Sequence, residues 1–226
     1  MPLRFLSVVL GKEGLLRFDW VSVLSTAIAV ILGLTIHEFA HAWAANRLGD
    51  PTPRWAGRVT LNPLAHLDPI GAVMLVLMIL GYAPIAWGKP VPINPAYLRG
   101  GRRGAALATA AGPASNLSLA LAVALLWRLV HQLTGTQLAY GSGLYALLVA
   151  LMGANVALAA FNLIPLPPLD GFGILEGVAP YSWLRVLEPL RRYGMWLLLV
   201  LVLGGGVLWS PLFRGLYRLV ALVAGL

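Results

Sequence analysis

Three ionisable side chains, His37, Glu38 and His41, stand inside an apolar run from about Val21 to Ala45. A membrane-spanning helix takes roughly 20 mostly apolar residues, and this run supplies them. Charge inside such a span is costly, so polar groups there face protein or a wet cavity and mark function. Residues four apart lie one turn apart on one helix face. The chain must therefore build, within a membrane, a protected pocket against one side of this helix.

The rest of the sequence agrees with a membrane setting. Of 226 residues, 59% are hydrophobic and only 11% charged, against about 45–50% and about 25% in soluble domains. That length holds several spans with short loops and leaves no room for a large soluble appendage. The formal charge is +8, but the basic residues sit in short loops between apolar runs. This is the positive-inside bias of membrane proteins, not a nucleic-acid surface. There are no cysteines, which excludes disulfides, a thiol nucleophile and thiolate-bound zinc. The first residues, MPLRFLSVVLGKEG, make a poor signal peptide because Gly-Lys-Glu interrupts a short apolar run.

Further apolar runs cover about Ile70–Ala86, Ala105–Val130, Leu144–Ile164 and Met195–Trp209, with a weaker helix over Phe213–Leu226. Pro51, Pro53, Pro63 and Pro69 exclude a long helix between the first two runs. Short strands are conceivable at Arg58–Leu61 and Pro90–Ile93. The expected fold is an all-α membrane protein, a polytopic bundle of about four to six membrane helices or re-entrant segments. It forms a single domain over residues 1–226, with a core at about 21–175 and C-terminal helices at about 193–226.

His37-Glu38-Phe39-Ala40-His41 is an H-E-x-x-H motif. Its two imidazoles can reach one zinc ion while Glu38 sits beside the metal's water as general base. Catalytic zinc takes three protein ligands plus water. Asp170 leads as the third ligand, because it ends NLIPLPPLDG, where three prolines unwind the close of the fourth run. His66 and Asp68, in LNPLAHLDP, compete for that place, although a turn or capping role suits them. Glu13, Asp19, Asp50, Glu176 and Glu188 lie in loops or flanks and read as solvated charges. Two other readings of the chain are a catalytically inactive zinc-binding membrane protein that regulates or scaffolds a partner, and a metal-ion transporter. A transporter needs polar positions spread along a path, whereas here they gather at one depth.

With HEFAH, GPASN (Gly112 to Asn116) and NLIPLPPLDG in this order over about 135 residues, the chain resembles the site-2 protease family of intramembrane zinc metalloproteases. TLNPLAHLDPIG and GKPVPINP resemble its compact bacterial and archaeal branch. The resemblance implies one zinc ion held by His37, His41 and Asp170. It implies an active-site role for Asn162, as a donor to a developing oxyanion or to substrate backbone; Asn116 is a second candidate for the same work, with an interhelical hydrogen bond as its other reading. It also implies the substrate, a transmembrane segment of another membrane protein, received along the GKPVPINP loop.

The metal reading makes a topological demand. His41 and Asp170 follow the C-terminal ends of the first and fourth runs, which must face the same side to share an ion. If the second and third runs both crossed, the ligands would lie on the order of 20 Å apart at the helical rise. The second run is therefore expected to dip in and return. Ten loop cations, Arg47 to Arg192, then share the active-site side with three (Arg4, Lys12, Arg17) opposite. That places a multi-pass protein in the cell membrane with its active site toward the cytoplasm.

Overall fold

The computed structural model describes residues 19–79, 82, 86–134, 142–203 and 210–226. The first 18 residues, with the cations Arg4, Lys12 and Arg17, lie outside the described residues, as do Gly81, Pro84 and the end of the fifth run. The described chain is helical: α1 (Trp20–Arg47), α2 (Thr52–Trp55), α3 (Pro69–Ile79), α4 (Arg102–Thr134), α5 (Gly143–Asn162), α6 (Asp170–Val178), α7 (Leu184–Leu203) and α8 (Ser210–Ala224). Helices α1, α4 and α5 are long and apolar enough to cross a membrane.

Helix α1 starts where Asp19 Oδ1 accepts from the Val21 and Ser22 amides at 3.1 and 3.3 Å, satisfying two donors that a helix start leaves free. It packs against α4 and α5 through small residues, among them Ala29, Ala42, Ala45, Ala108 and Ala159, all fully buried. In lipid, where tails are as apolar as leucine, close backbone approach over small side chains drives helix association. Leu24, Ile28, Leu32, Leu125 and Leu129 are exposed, as lipid-facing positions are. Helix α8 closes the far flank, placing Val220 and Ala224 in a core with Ala120, Val123, Leu148 and Met152.

The direction of each span follows from its contacts. The Gly143 region of α5 lies beside Val21, and Asn155 and Leu158 lie beside Gly33, so α1 and α5 run parallel. Helix α4 runs opposite, since Ala108 meets His41 and Asn116 meets His37. Among the described residues the second apolar run makes the 11-residue α3, about 16 Å long at the helical rise and by itself too short for a hydrocarbon core of about 30 Å. Leu67 and Gly88 form an antiparallel bridge, and the Lys89 amide donates to the His66 carbonyl at 2.8 Å. The loop thus returns to where it left, and its two flanks share a side. Gly71 permits this, because a methyl there would collide with the Trp87 carbonyl.

Three readings need correction. No strand forms among the described residues at Arg58–Leu61 or Pro90–Ile93, and the Leu67–Gly88 bridge is isolated. Pro90 and Pro92 have no N–H to give a ladder, and the neighbouring Asn94 amide is taken by Asp50 Oδ2 at 2.7 Å. Asp50 itself is not solvated: it is fully buried, and its other oxygen accepts from Thr52 N at 2.9 Å. It ties the end of α1 to the loop before α4. Finally, α7 begins at Leu184, ahead of the apolar run that starts at Met195. Its first half carries Arg185, Glu188, Arg191 and Arg192, and its described part, Leu184–Leu203, is not among the helices apolar enough to span.

Candidate metal centre

On α1, Gly33, His37 and His41 recur every four residues and so share a face. Opposite them on α4, Ala108, Gly112 and Asn116 do the same. The two stripes meet. His41 Nδ1 lies 2.9 Å from the Ala108 carbonyl, and His37 Nδ1 lies 2.7 Å from Asn116 Oδ1. Gly112 lets the rings sit this close: a methyl at that position would overlap the His41 Nε2 and Cε1 and the His37 Cε1.

Asp170 arrives from a different direction. After α5 the chain passes through Pro165, Pro167 and Pro168 and starts α6 at Asp170. Gly171 folds this turn back over the end of α5, where a side chain would strike the Leu163 and Ile164 carbonyls. Asp170 thereby sits in the first turn of α6, where the helix dipole favours a carboxylate. Its Oδ2 lies 3.1 Å from His37 Nε2 and 3.3 Å from His41 Nε2. The two Nε2 atoms are 3.0 Å apart.

These atoms fit a metal better than they fit one another. The Ala108 carbonyl can only accept, so His41 carries its proton on Nδ1. An Asn Oδ1 likewise only accepts, so the same holds for His37. Both Nε2 atoms then present bare lone pairs to each other and to a carboxylate oxygen. Asp170 Oδ2 is accordingly a buried acceptor with no donor, an arrangement that needs a cation. Tetrahedral zinc at about 2.0–2.1 Å from its ligands spaces them about 3.3 Å apart, close to the observed triangle. The orienting contacts at both Nδ1 atoms are those that fix ring and tautomer in zinc sites. Among the described residues, His37, His41 and Asp170 are the group of this kind.

Glu38 follows His37 and is 9% exposed. Its Oε2 is 3.8 Å from Arg58 Nη2, and Arg58 also donates to the Lys89 carbonyl. Arg58 is 3% exposed, and burial pushes its guanidinium pKa down while Glu38 opposes that shift. In the sequence Arg58 is one loop cation among ten, and nothing in its local pattern signals burial against Glu38. His66 Nε2 faces the Thr60 carbonyl at 2.8 Å, and Asp68 caps Gly71 N at 2.8 Å; neither joins the triangle. Asn116 reaches His37, whereas Asn162 Nδ2 turns back to the Leu158 carbonyl on its own helix at 3.0 Å.

The contact at Gly112 yields a test. Gly112→Ala is expected to push both imidazoles apart and lower bound zinc at least 10-fold, with helicity retained. Zinc content against circular dichroism checks this, and full zinc occupancy in the variant would refute the packing argument.

Comparison with known proteins agrees with this site. The chain is 38% identical over 192 residues, 83% of its length and 85% of the relative's, to "Putative zinc metalloprotease YwhC" of Bacillus subtilis (strain 168). It is 31% identical over 179 residues to "Putative zinc metalloprotease Rip2" of Mycolicibacterium smegmatis (strain ATCC 700084 / mc(2)155), covering 76% of this chain and 64% of that one. It is also 31% identical over 182 residues to the Mycobacterium tuberculosis (strain ATCC 25618 / H37Rv) protein of the same name, with the same two coverages. No protein-family model matches the chain, and no solved structure matches it. With curated zinc-metalloprotease relatives, three helices fit to cross a membrane and a zinc-ready triad between them, the chain belongs to the site-2 protease family.

Proposed function

We propose that this protein is an intramembrane endopeptidase that hydrolyses peptide bonds in or near the transmembrane segments of other membrane proteins. The observation that carries the reading is the triangle of His37, His41 and Asp170 with Glu38 beside it, its two histidines set on a helix fit to cross a membrane. His37, His41 and Asp170 hold the ion. Zinc bound there supplies Lewis acidity, polarising a carbonyl and lowering the pKa of water.

The chain's own groups do the rest. Glu38 takes a proton from the attacking water and later returns it to the leaving amine nitrogen. Arg58 fixes the direction from which the Glu38 carboxylate works, because it is itself anchored to the Lys89 carbonyl. The Asn116 contact at Nδ1 keeps His37 Nε2 unprotonated for ligation. Asn162, at the end of α5, is a donor for substrate backbone once its side chain leaves Leu158. The loop segment from Lys89 to Ile93 offers main-chain groups to an unwound substrate.

The test is cleavage of a panel of single-span proteins by the purified enzyme in proteoliposomes, with and without a zinc chelator. Cuts inside or within a few residues of the span, abolished by chelation, are expected. Cleavage only of soluble substrates would sink the proposal. The same reading turns the active site toward the cytoplasm of a cell membrane. Single cysteines at Leu64 and Tyr97, both exposed, should then react with an impermeant reagent from the cytoplasmic face only. Labelling of either from outside would reverse the orientation.

A further inference from the structure

One polar residue in the middle of α5 has no part in the chemistry above. Asn155 is fully buried among apolar neighbours, in a helix whose adjacent buried residues include Met152, Val156 and Ala159. A primary amide without partners is strongly disfavoured at such a place, so its bonds matter.

Those bonds lead to the metal centre. Asn155 Oδ1 accepts from Asn116 Nδ2 at 2.8 Å, and Asn155 Nδ2 donates to the Leu151 carbonyl at 2.9 Å. Asn116 Nδ2 gives its second proton to the Gly33 carbonyl at 2.9 Å. Asn116 is also fully buried. An amide nitrogen has two protons, and both are committed to acceptors on neighbouring helices. The opposite end of the Asn116 amide must therefore be the oxygen, and it faces His37 Nδ1 at 2.7 Å.

The consequence for His37 is specific. Facing an oxygen, Nδ1 carries the proton and Nε2 is free to ligate. Were Asn116 reversed, its N–H would meet Nδ1, the proton would move to Nε2, and His37 would lose its ligand lone pair. Gly33 makes room for the arrangement, since a methyl there would lie 2.9 Å from Asn155 Oδ1. The amide pair thus reads the α1–α4–α5 crossing and passes it to one ring nitrogen.

We propose that Asn155 is a positioning residue of the metal centre: by accepting an amide proton of Asn116, it sets the orientation of that amide and, through it, the His37 tautomer. This rests on His37 as a zinc ligand but not on proteolysis. The plain rival is an interhelical staple with no effect on the ring, since buried amides also serve to join helices.

Metal-free, full-length protein labelled with ¹⁵N-histidine separates the two. The wild type should show His37, identified by its loss in His37→Gln, with a protonated Nδ1 and a bare Nε2. In Asn155→Ala a second His37 form with protonated Nε2 should appear, and zinc affinity, measured by chelator competition on folded protein, should fall about 10–100-fold, as for lost outer-shell partners. Asn155→Asp, which as a neutral acid keeps an acceptor for Asn116 and a donor for Leu151, should return affinity to within about 3-fold. If Asn155→Ala does not fold, Asn155→Ser takes its place, its hydroxyl being too short to reach Asn116. A single wild-type tautomer with zinc affinity within about 2-fold in the truncated variant would overturn the proposal, leaving Asn155 a staple. Zinc binding that fails already in the wild type would instead overturn the metal reading itself.

Discussion

Glu38→Gln is expected to end proteolysis while the protein keeps its zinc. Glutamine matches glutamate in shape and can still receive a bond from Arg58, 3.8 Å away in the present arrangement, so packing is retained. What is lost is a base able to take a proton and give it back. General acid–base groups contribute about 10²–10⁴-fold, and Glu38 is assigned both transfers, so the loss should exceed 100-fold. The three ligand atoms come from His37, His41 and Asp170, hence zinc content should equal that of wild type. Both quantities are read from one preparation, as zinc per protein and as cleavage of a single-span substrate. Cleavage above about a tenth of the wild-type rate would remove Glu38 from the reaction.

The second large effect is at Asp170. Asp170→Ala removes the carboxylate facing both bare Nε2 atoms at 3.1 and 3.3 Å. Zinc affinity should fall by more than the roughly 10–100-fold that an outer-shell loss costs, and activity should fall with it. Stability gives an independent readout. A ligand that binds only the folded state stabilises it by RT ln(1 + [L]/Kd), so zinc should raise the wild-type Tm and leave the variant's unchanged. In chelator the zinc-dependent part of the difference between the two proteins should vanish. A variant that still gains the full zinc-dependent Tm shift would show that Asp170 is not a ligand.

Different parts of this molecule were visible in the sequence for different reasons. Helices α1, α4 and α5 match apolar runs because a membrane demands both length and continuity of apolar residues, and both can be counted. The H-E-x-x-H pattern is visible because helix geometry converts a spacing of four into a shared face. The expected in-and-out course of the second run followed from a topological demand, and the Leu67–Gly88 bridge brings together the two flanks that this demand puts on one side. The start of α7 was hidden because its first turns are amphipathic, and charged residues there resemble a loop. Asp50 and Arg58 were hidden for a common reason: each is a charged loop residue buried by a segment about 30 to 45 residues away. Asn155 left one trace, an amide in the middle of an apolar span. Its partner on α4 cannot be read from α5 alone.

The parallel course of α1 and α5 has a consequence for how the protein is made. Two of the three metal-binding side chains are synthesised early, and the third follows more than a hundred residues later. A ribosome-bound chain that has inserted only its first span carries the H-E-x-x-H pair without the group that completes it. Assembly therefore waits for the hairpin of α4 and α5 to enter the bilayer and for the proline-rich turn to deliver α6. Until then the growing chain lacks its full centre.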